Sequence, residues 1–271
     1  MKEELVIALF CRIDDLMRIH YQKRKRPNQE VMADTEVVFT AILSAKHFGC
    51  NFRKGLHHVV QVGYCRRALS ESRFLKRLKA IPKDFMKLLL RHFAEHAGAI
   101  NEYVIDSFPL SLCHNVRIWR SRLVQGTEYK GYNSSKQQFF YGIKVHAIIS
   151  TTGVPILFET TPGSVHDLVA FKEMDMTGIE EGIIYADAAY TDYRLEDQLN
   201  TFGLKMVVDR KSNSKRPHSV EVARNLKTKR KAVETFFSAL MRLFPRTIHA
   251  ITLEGVILKL TLFFSAFAAF K

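Results

Sequence analysis

Apolar side chains alternate with others between Phe139 and Ile149, and this pattern constrains the fold more than any other part of the chain. Lys144 and His146 share the opposite face of the stretch, because successive side chains of a strand point to opposite sides. A turn at Thr152-Gly153 and a second apolar run from Pro155 follow. The segment therefore predicts a β-hairpin.

Two short apolar runs outside this hairpin each end in an aspartate. Tyr103-Val104-Ile105 precedes Asp106, and Gly182 to Ala186 precedes Asp187. Segments with helical spacing follow each of the later strands, so we predict a mixed α/β sheet with helices on its faces. Ligands bind at the edge of such sheets, and we expect both carboxylates to emerge there.

Apolar residues recur at helical spacing through most of the first hundred residues. One helix is predicted from about Thr35 to Phe48, with Gly49 as a left-handed cap. Ser70 can cap a later helix that turns Arg73 and Arg77 outward, which fits the recognition half of a helix-turn-helix. An ordinary amphipathic helix with a solvated basic face fits the same pattern. We predict a helical, DNA-binding domain over residues 1–100.

The charge balance points to a polyanionic partner, since 41 Lys and Arg stand against 27 Asp and Glu, a net charge of +14. Basic and aromatic residues interleave between Ser107 and Gln138, a segment long for a connection within a domain. We predict a DNA-binding insertion at about 107–137, although a partly ordered surface hairpin is the alternative. Its predicted DNA contacts are Arg117, Arg120 and Lys130.

A second basic stretch runs from Lys205 to Lys231 and leads into a helix that contains Glu234. Its predicted phosphate contacts are Lys211, Lys215 and Arg216. A solvated charged face is the alternative explanation.

Cysteine usage and hydropathy favour a cytoplasmic protein. The four cysteines lie far apart without a C-x-x-C pair, so neither a zinc site nor a disulfide framework is indicated. Glu254 and Lys259 interrupt the apolar stretch from Ile251 to Phe270, which favours a buried helix over a membrane span. We expect no membrane partner.

Asp106, Asp187 and Glu234 are the candidate catalytic and metal-binding residues. Glu234 lies on the border of an apolar helical stripe, so a helix packed on the sheet could aim it at the strand ends. Converging carboxylates repel one another, and Mg²⁺, which prefers oxygen ligands, would remove that penalty. Taken singly, each aspartate could instead form a turn or cap a helix, and Glu234 could be a solvated helix residue.

From about Tyr103 onward, several motifs occur in an order that resembles the insertion-sequence DDE transposases, most closely the insertion sequence 982 family. The matching segments are Val104-Ile105-Asp106-Ser107-Phe108-Pro109-Leu110, Cys113-His114-Asn115 with Arg117, Tyr141-Gly142-Ile143-Lys144-Val145-His146, Thr161-Pro162-Gly163-Ser164-Val165-His166-Asp167, Asp187-Ala188-Ala189-Tyr190 and Val233-Glu234-Thr235-Phe236-Phe237-Ser238.

The resemblance implies a ribonuclease H-like catalytic domain over residues 101–271, with two Mg²⁺ or Mn²⁺ ions held by the three carboxylates. Arg230 matches a basic residue that related transposases place before their glutamate, and it is a predicted DNA contact. Lys227 and Met241 depart from the Tyr and Lys that related groups often have at those positions.

The resemblance also implies function and partners. The protein would bind double-stranded DNA at the terminal inverted repeats of a mobile element, cleave a strand there and transfer it to target DNA. A homodimer or larger assembly on DNA is expected, in the cytoplasm of a bacterial-type cell near the nucleoid. An inactive DNA-binding regulator, another ribonuclease H-like nuclease and, last, a peripheral membrane protein are the alternatives.

Lys144, His146 and Asp167 each leave two interpretations open. Lys144 and His146 could point toward DNA or form a surface pair. Asp167 could cap the helix that follows it or approach the metal site as an outer-shell acid, and capping is the favoured role.

Overall fold

The computed structural model describes residues 3–21, 31–98, 101–133, 136–179, 181–245 and 247–271. Its contacts group the chain into two compact units. The first comprises Met1–Ala97, Leu240–His249 and Glu254–Lys271, and the second comprises Gly98–Ala239 and Ala250–Leu253.

Helices flank a single sheet in the described residues. The α-helices are α1 (Glu3–His20), α2 (Asp34–Phe48), α3 (Phe52–Gln61), α4 (Glu71–Lys79), α5 (Lys83–His96), α6 (Asp167–Glu173), α7 (Tyr193–Thr201), α8 (Val220–Met241) and α9 (Leu253–Ala269). The strands are β1 (Glu102–Cys113), β2 (Lys130–Asn133), β3 (Gln138–Ser150), β4 (Pro155–Pro162), β5 (Gly182–Ala186) and β6 (Leu204–Val208). Short 3₁₀ helices cover Asn115–Arg120, Thr127–Tyr129 and Ala188–Tyr190.

The first unit is helical, as the sequence predicts, and α2 is its most buried element. Gly49 ends α2 at φ 55°, so the expected left-handed cap is confirmed. Arg77, by contrast, does not turn outward from α4. Its guanidinium donates to the Asp34 carboxylate and to the Met32 carbonyl, and its side chain is only 14% exposed. Arg77 thus ties α4 to the start of α2, and its contact with DNA stays a prediction.

Helix α9 belongs to the first unit, whereas the sequence prediction grouped its residues with the sheet. Its interior side chains, from Val256 to Ala268, are mostly buried, so the apolar stretch forms part of a protein core. In the part of the chain that the structure describes, no helix is both long enough and apolar enough to cross a membrane.

The second unit contains the mixed sheet. Strands β2 and β4 both pair antiparallel with β3, β3 pairs antiparallel with β1, and β5 and β6 continue the sheet in parallel. The predicted hairpin is confirmed, with Gly153 at φ 81° in its turn. The predicted fold class, a mixed α/β sheet flanked by helices after a helical N-terminal region, is confirmed as well.

Strand β1 is longer than predicted, because it continues past Asp106 as far as Cys113. The pairing of β1 with β3 extends along this whole length, which the short apolar run before Asp106 does not reveal. Asp106 therefore lies inside a strand rather than at its end. The predicted insertion at 107–137 consequently begins as strand and includes β2.

Candidate active site

The strand register places three aspartates side by side at one edge of the sheet. Val104 of β1 lies opposite Tyr185 of β5, and Asp106 and Asp187 each follow two residues later. Asp209 follows β6 directly, as Asp187 follows β5, and β5 and β6 are neighbours. Strands β5 and β6 end at this level while β1 continues past it, so the three side chains meet where β5 and β6 end.

Arg230 of α8 binds this row of aspartates. Its Nη2 atom lies 3.2 Å from Asp187 Oδ2 and 3.8 Å from Asp106 Oδ2, and Nη1 lies 3.8 Å from Asp209 Oδ2. The guanidinium is largely buried, with a side-chain exposure of 19%. One cation therefore compensates carboxylates from three strands.

A second ion pair fixes α8 along the sheet. Lys229 Nζ donates to Glu102 Oε2 at 2.6 Å, and Glu102 also accepts from Tyr185. Further along the helix, the ring of Phe237 lies 4.8 Å from that of Phe108. These contacts align α8 with β1 and direct Arg230 at the aspartates.

Asp106 carries the clearest electrostatic signature of the site. Burial raises the pKa of its carboxyl to about 6, and the charges of Asp187 and Asp167 add to that rise. The Ser107 N–H, 2.8 Å from Asp106 Oδ1, and the Arg230 guanidinium act in the opposite direction. The carboxylate is therefore costly to charge, and an additional cation nearby would favour its ionised form.

Glu234 lies on the same helix but outside this cluster. It is exposed, one turn after Arg230 and three residues before Phe237. Within the described ranges, no group of three or more His, Cys, Asp or Glu side chains is arranged to hold a metal ion. The structure thus brings two of the three predicted carboxylates together and places the third beside them along α8.

Asp167, at the start of α6, binds side chains on the face of the sheet opposite to Asp106. Its Oδ1 accepts from Ser107 Oγ and from Lys144 Nζ, both at 3.1 Å, and lies 3.9 Å from His146 Nδ1. The His146 ring is fully buried, and burial holds its pKa well below the ordinary value, so the ring is neutral. His146 is therefore buried rather than turned toward DNA, and Lys144, whose side chain is 18% exposed, forms a half-buried ion pair with Asp167.

The other predicted DNA contacts lie on the surface, where their role stays a prediction. Arg216 is exposed but is paired with Asp197 at 2.7 Å, so its charge is partly compensated. The remaining exposed members are Arg73, Arg117, Arg120, Lys130, Lys211 and Lys215.

Sequence reasoning missed two residues of the site. Asp209 follows an apolar strand just as Asp187 does, so the same pattern was available to find it. Tyr190 is fully buried, and burial together with the charges of Asp167 and Asp106 keeps the pKa of its hydroxyl well above the ordinary value. Tyr190 ends the matched segment Asp187-Ala188-Ala189-Tyr190, but the sequence assigned it no role.

Comparisons with known proteins bear on the family of the chain. A family model described as the transposase DDE domain matches residues 97–249, more than half of the chain. The chain belongs to the transposase DDE domain family. The matched range includes all three predicted catalytic carboxylates and Arg230. No curated protein sequence matches the chain at a significant level.

A solved structure similar in fold is the cryo-electron-microscopy structure of the piggyBac transposase synaptic complex with hairpin DNA. The match covers 99% of this chain and 72% of that chain, with a TM-score of 0.50 and 11% sequence identity. This level of identity supports the fold alone, and that fold is consistent with the ribonuclease H-like transposase domain that the sequence motifs imply.

Proposed function

We propose that this DDE-family protein is the transposase of an insertion sequence, most similar to the insertion sequence 982 family. It would bind the terminal inverted repeats, cleave a DNA strand at the element end and transfer that strand to target DNA. The observation that carries the proposal is the convergence of Asp106 and Asp187 on a single cationic group, Arg230. Carboxylates arranged in this way form a cluster that favours a cation.

The donor set fits divalent cations. Asp106 and Asp187 offer oxygen ligands of the kind that Mg²⁺ and Mn²⁺ bind, and because burial raises the pKa of Asp106, a cation nearby would favour its charged form. Asp106, Asp187 and Glu234 would hold two such ions, with Glu234 turning inward from its exposed rotamer. When bound, the ions would supply activation of the attacking oxygen and stabilisation of the leaving oxygen of a phosphodiester.

The other residues would align the DNA. Arg230, once released from its carboxylate partners, would bind a backbone phosphate of the DNA. The Lys229–Glu102 pair would hold α8 in register while this happens. Water would attack a phosphodiester at the element end, and the freed 3′-OH would attack target DNA in the second step. Catalysis of this kind depends on alignment and charge stabilisation rather than on a covalent nucleophile of the protein.

Double-stranded DNA at the element ends and at the target would be the partner. The net charge of +14 supports this, as does the similar fold of the piggyBac transposase, whose structure is a synaptic complex with hairpin DNA. The helical domain of residues 1–100 would contribute to recognition of the ends, with Arg73 among its exposed basic residues. A homodimer or larger assembly in a bacterial-type cytoplasm, near the nucleoid, completes the proposal.

Nicking of a labelled duplex that carries an element end tests the proposal. We expect Mg²⁺-dependent nicking by the full chain and its loss in Asp106→Asn, Asp187→Asn and Glu234→Gln, with DNA binding retained. Glu173→Gln, which neutralises an exposed carboxylate on α6, is the matched control and should nick normally.

The nicking assay separates the alternatives. Undiminished nicking by any of the three variants would remove that residue from the mechanism. Cutting without preference for element ends would indicate a related nuclease, and binding without any cutting would indicate a regulator.

A further inference from the structure

The 3₁₀ helix Asn115–Arg120 presents three chemically different faces. A 3₁₀ helix has three residues per turn, so side chains three apart point the same way. Val116 and Trp119 form one face and are 94% and 96% exposed. Arg117 and Arg120 form the second face and are also exposed. The third face, Asn115 and Ile118, contacts the rest of the protein.

This third face attaches the helix to the sheet. Asn115 Nδ2 donates to the carbonyl of Phe139 at 2.9 Å, and Ile118, three residues on, is half-buried. The Ser121 N–H caps the helix on the Ile118 carbonyl, and Val124 is buried shortly afterwards. The helix is therefore fixed at both ends while two of its faces remain in solvent.

Val116 and Trp119 lie on one face and are both almost fully exposed, and an apolar patch of this kind beside charged residues is typical of an interaction surface. The neighbouring arginines indicate the chemistry of the partner. A second copy of this chain, with a net charge of +14, would bring further positive charge to Arg117 and Arg120. A nucleic acid offers phosphates for the guanidinium groups and flat bases for the ring.

The surface beside the helix has the same character. Phe139, whose carbonyl holds Asn115, is 56% exposed, and its ring lies 5.1 Å from that of Tyr132. Lys130 Nζ lies 4.9 Å from the centroid of the Phe139 ring. Exposed aromatic rings and cations therefore continue from the helix onto β2 and β3.

We propose that Trp119 stacks on an unpaired base of DNA while Arg117 and Arg120 bind the adjacent phosphates. Bases within a duplex are already stacked on both faces, and separating them costs free energy. A base without a pairing partner has a free face for the indole. The inference rests on the proposed function, which identifies the partner as DNA. It adds a site that would recognise local distortion of the duplex.

The chain offers a direct probe, because Trp119 is its only tryptophan. The full-length protein is titrated without divalent cations with two duplexes of the same sequence, one fully paired and one with a single unpaired thymine. Trp119 fluorescence reports stacking, and the anisotropy of a label on the DNA reports binding. We expect stronger quenching and tighter binding with the unpaired base.

Trp119→Ala should weaken binding of the duplex with the unpaired base by about 5- to 150-fold, the range expected for removal of one base-stacking interaction. It should affect the fully paired duplex less, and Trp119→Phe should restore part of the affinity. Phe202→Ala removes another exposed aromatic side chain, 77% exposed at the end of α7, and should change neither affinity.

Three results would overturn the inference. DNA binding without a change in Trp119 fluorescence would contradict stacking but leave the proposed function intact. Fluorescence that changes with protein concentration alone, together with a dimer in sedimentation, would assign this face to a second copy. Absence of DNA binding altogether would contradict both the inference and the proposed function.

Discussion

Replacement of Asp106 by Asn should stabilise the protein, and the gain should depend on pH. Burial raises the pKa of the Asp106 carboxyl to about 6 from an ordinary 3.8. Because this pKa is higher in the folded state, stability is lost as the pH rises from about 4 through 6, where the folded protein must release its proton. A shift of this size corresponds to at most about 3 kcal/mol.

Two features of the site reduce that figure. The side chain is 24% exposed, so water screens part of the cost, and Asn loses the attraction of Arg230 at 3.8 Å. We expect a net gain of about 1–2 kcal/mol at pH 8, or roughly 2–8 °C in Tm for a chain of this size.

Thermal and urea unfolding of both proteins between pH 4 and 8, without divalent cations, would measure the effect. The gain should be absent near pH 4 and complete above pH 7. An Asn variant that is less stable than the native protein at pH 8, or a gain that does not vary with pH, would refute the reasoning.

Two further predictions concern charge. The Arg230→Gln variant should bind Mn²⁺ roughly tenfold more tightly than the native protein, because the substitution removes a cation from the aspartates. Calorimetric titration measures the affinity. Arg224→Gln, on an exposed part of α8, is the control and should leave the affinity unchanged. Unchanged affinity would show that Arg230 does not compete with the metal. Charge reversal at Lys211 and Lys215 should make DNA affinity depend less on salt concentration. The slope of log affinity against log salt should become shallower by roughly 0.9 for each DNA phosphate that the protein no longer neutralises. An unchanged slope would mean that these lysines form only a solvated face.

Most of the fold could be predicted from the sequence because its signals are local. The alternation in β3 and the glycine after α2 depend on a few neighbouring residues, and both predictions are confirmed. The extent of β1 beyond Asp106 depends on its pairing with β3. The placement of α9 with the first unit depends on tertiary packing. Neither is encoded in a local pattern.

In the candidate site, too, some features follow from local sequence patterns and others only from tertiary packing. That Asp106 and Asp187 meet follows from two apolar runs that form neighbouring parallel strands. The partners of Arg77, Lys144 and His146 could not be predicted, because a basic side chain looks the same in the sequence whether it faces solvent or a carboxylate of another element. Such pairings emerge only from three-dimensional packing.

Crystals of the full chain grown with Mn²⁺, with anomalous scattering measured at the manganese edge, would test the central claim most directly. We predict anomalous peaks coordinated by Asp106 and Asp187, with Glu234 turned inward and Arg230 released from the carboxylates. Arg230 still bound to both aspartates at saturating Mn²⁺, with no manganese beside them, would contradict the claim.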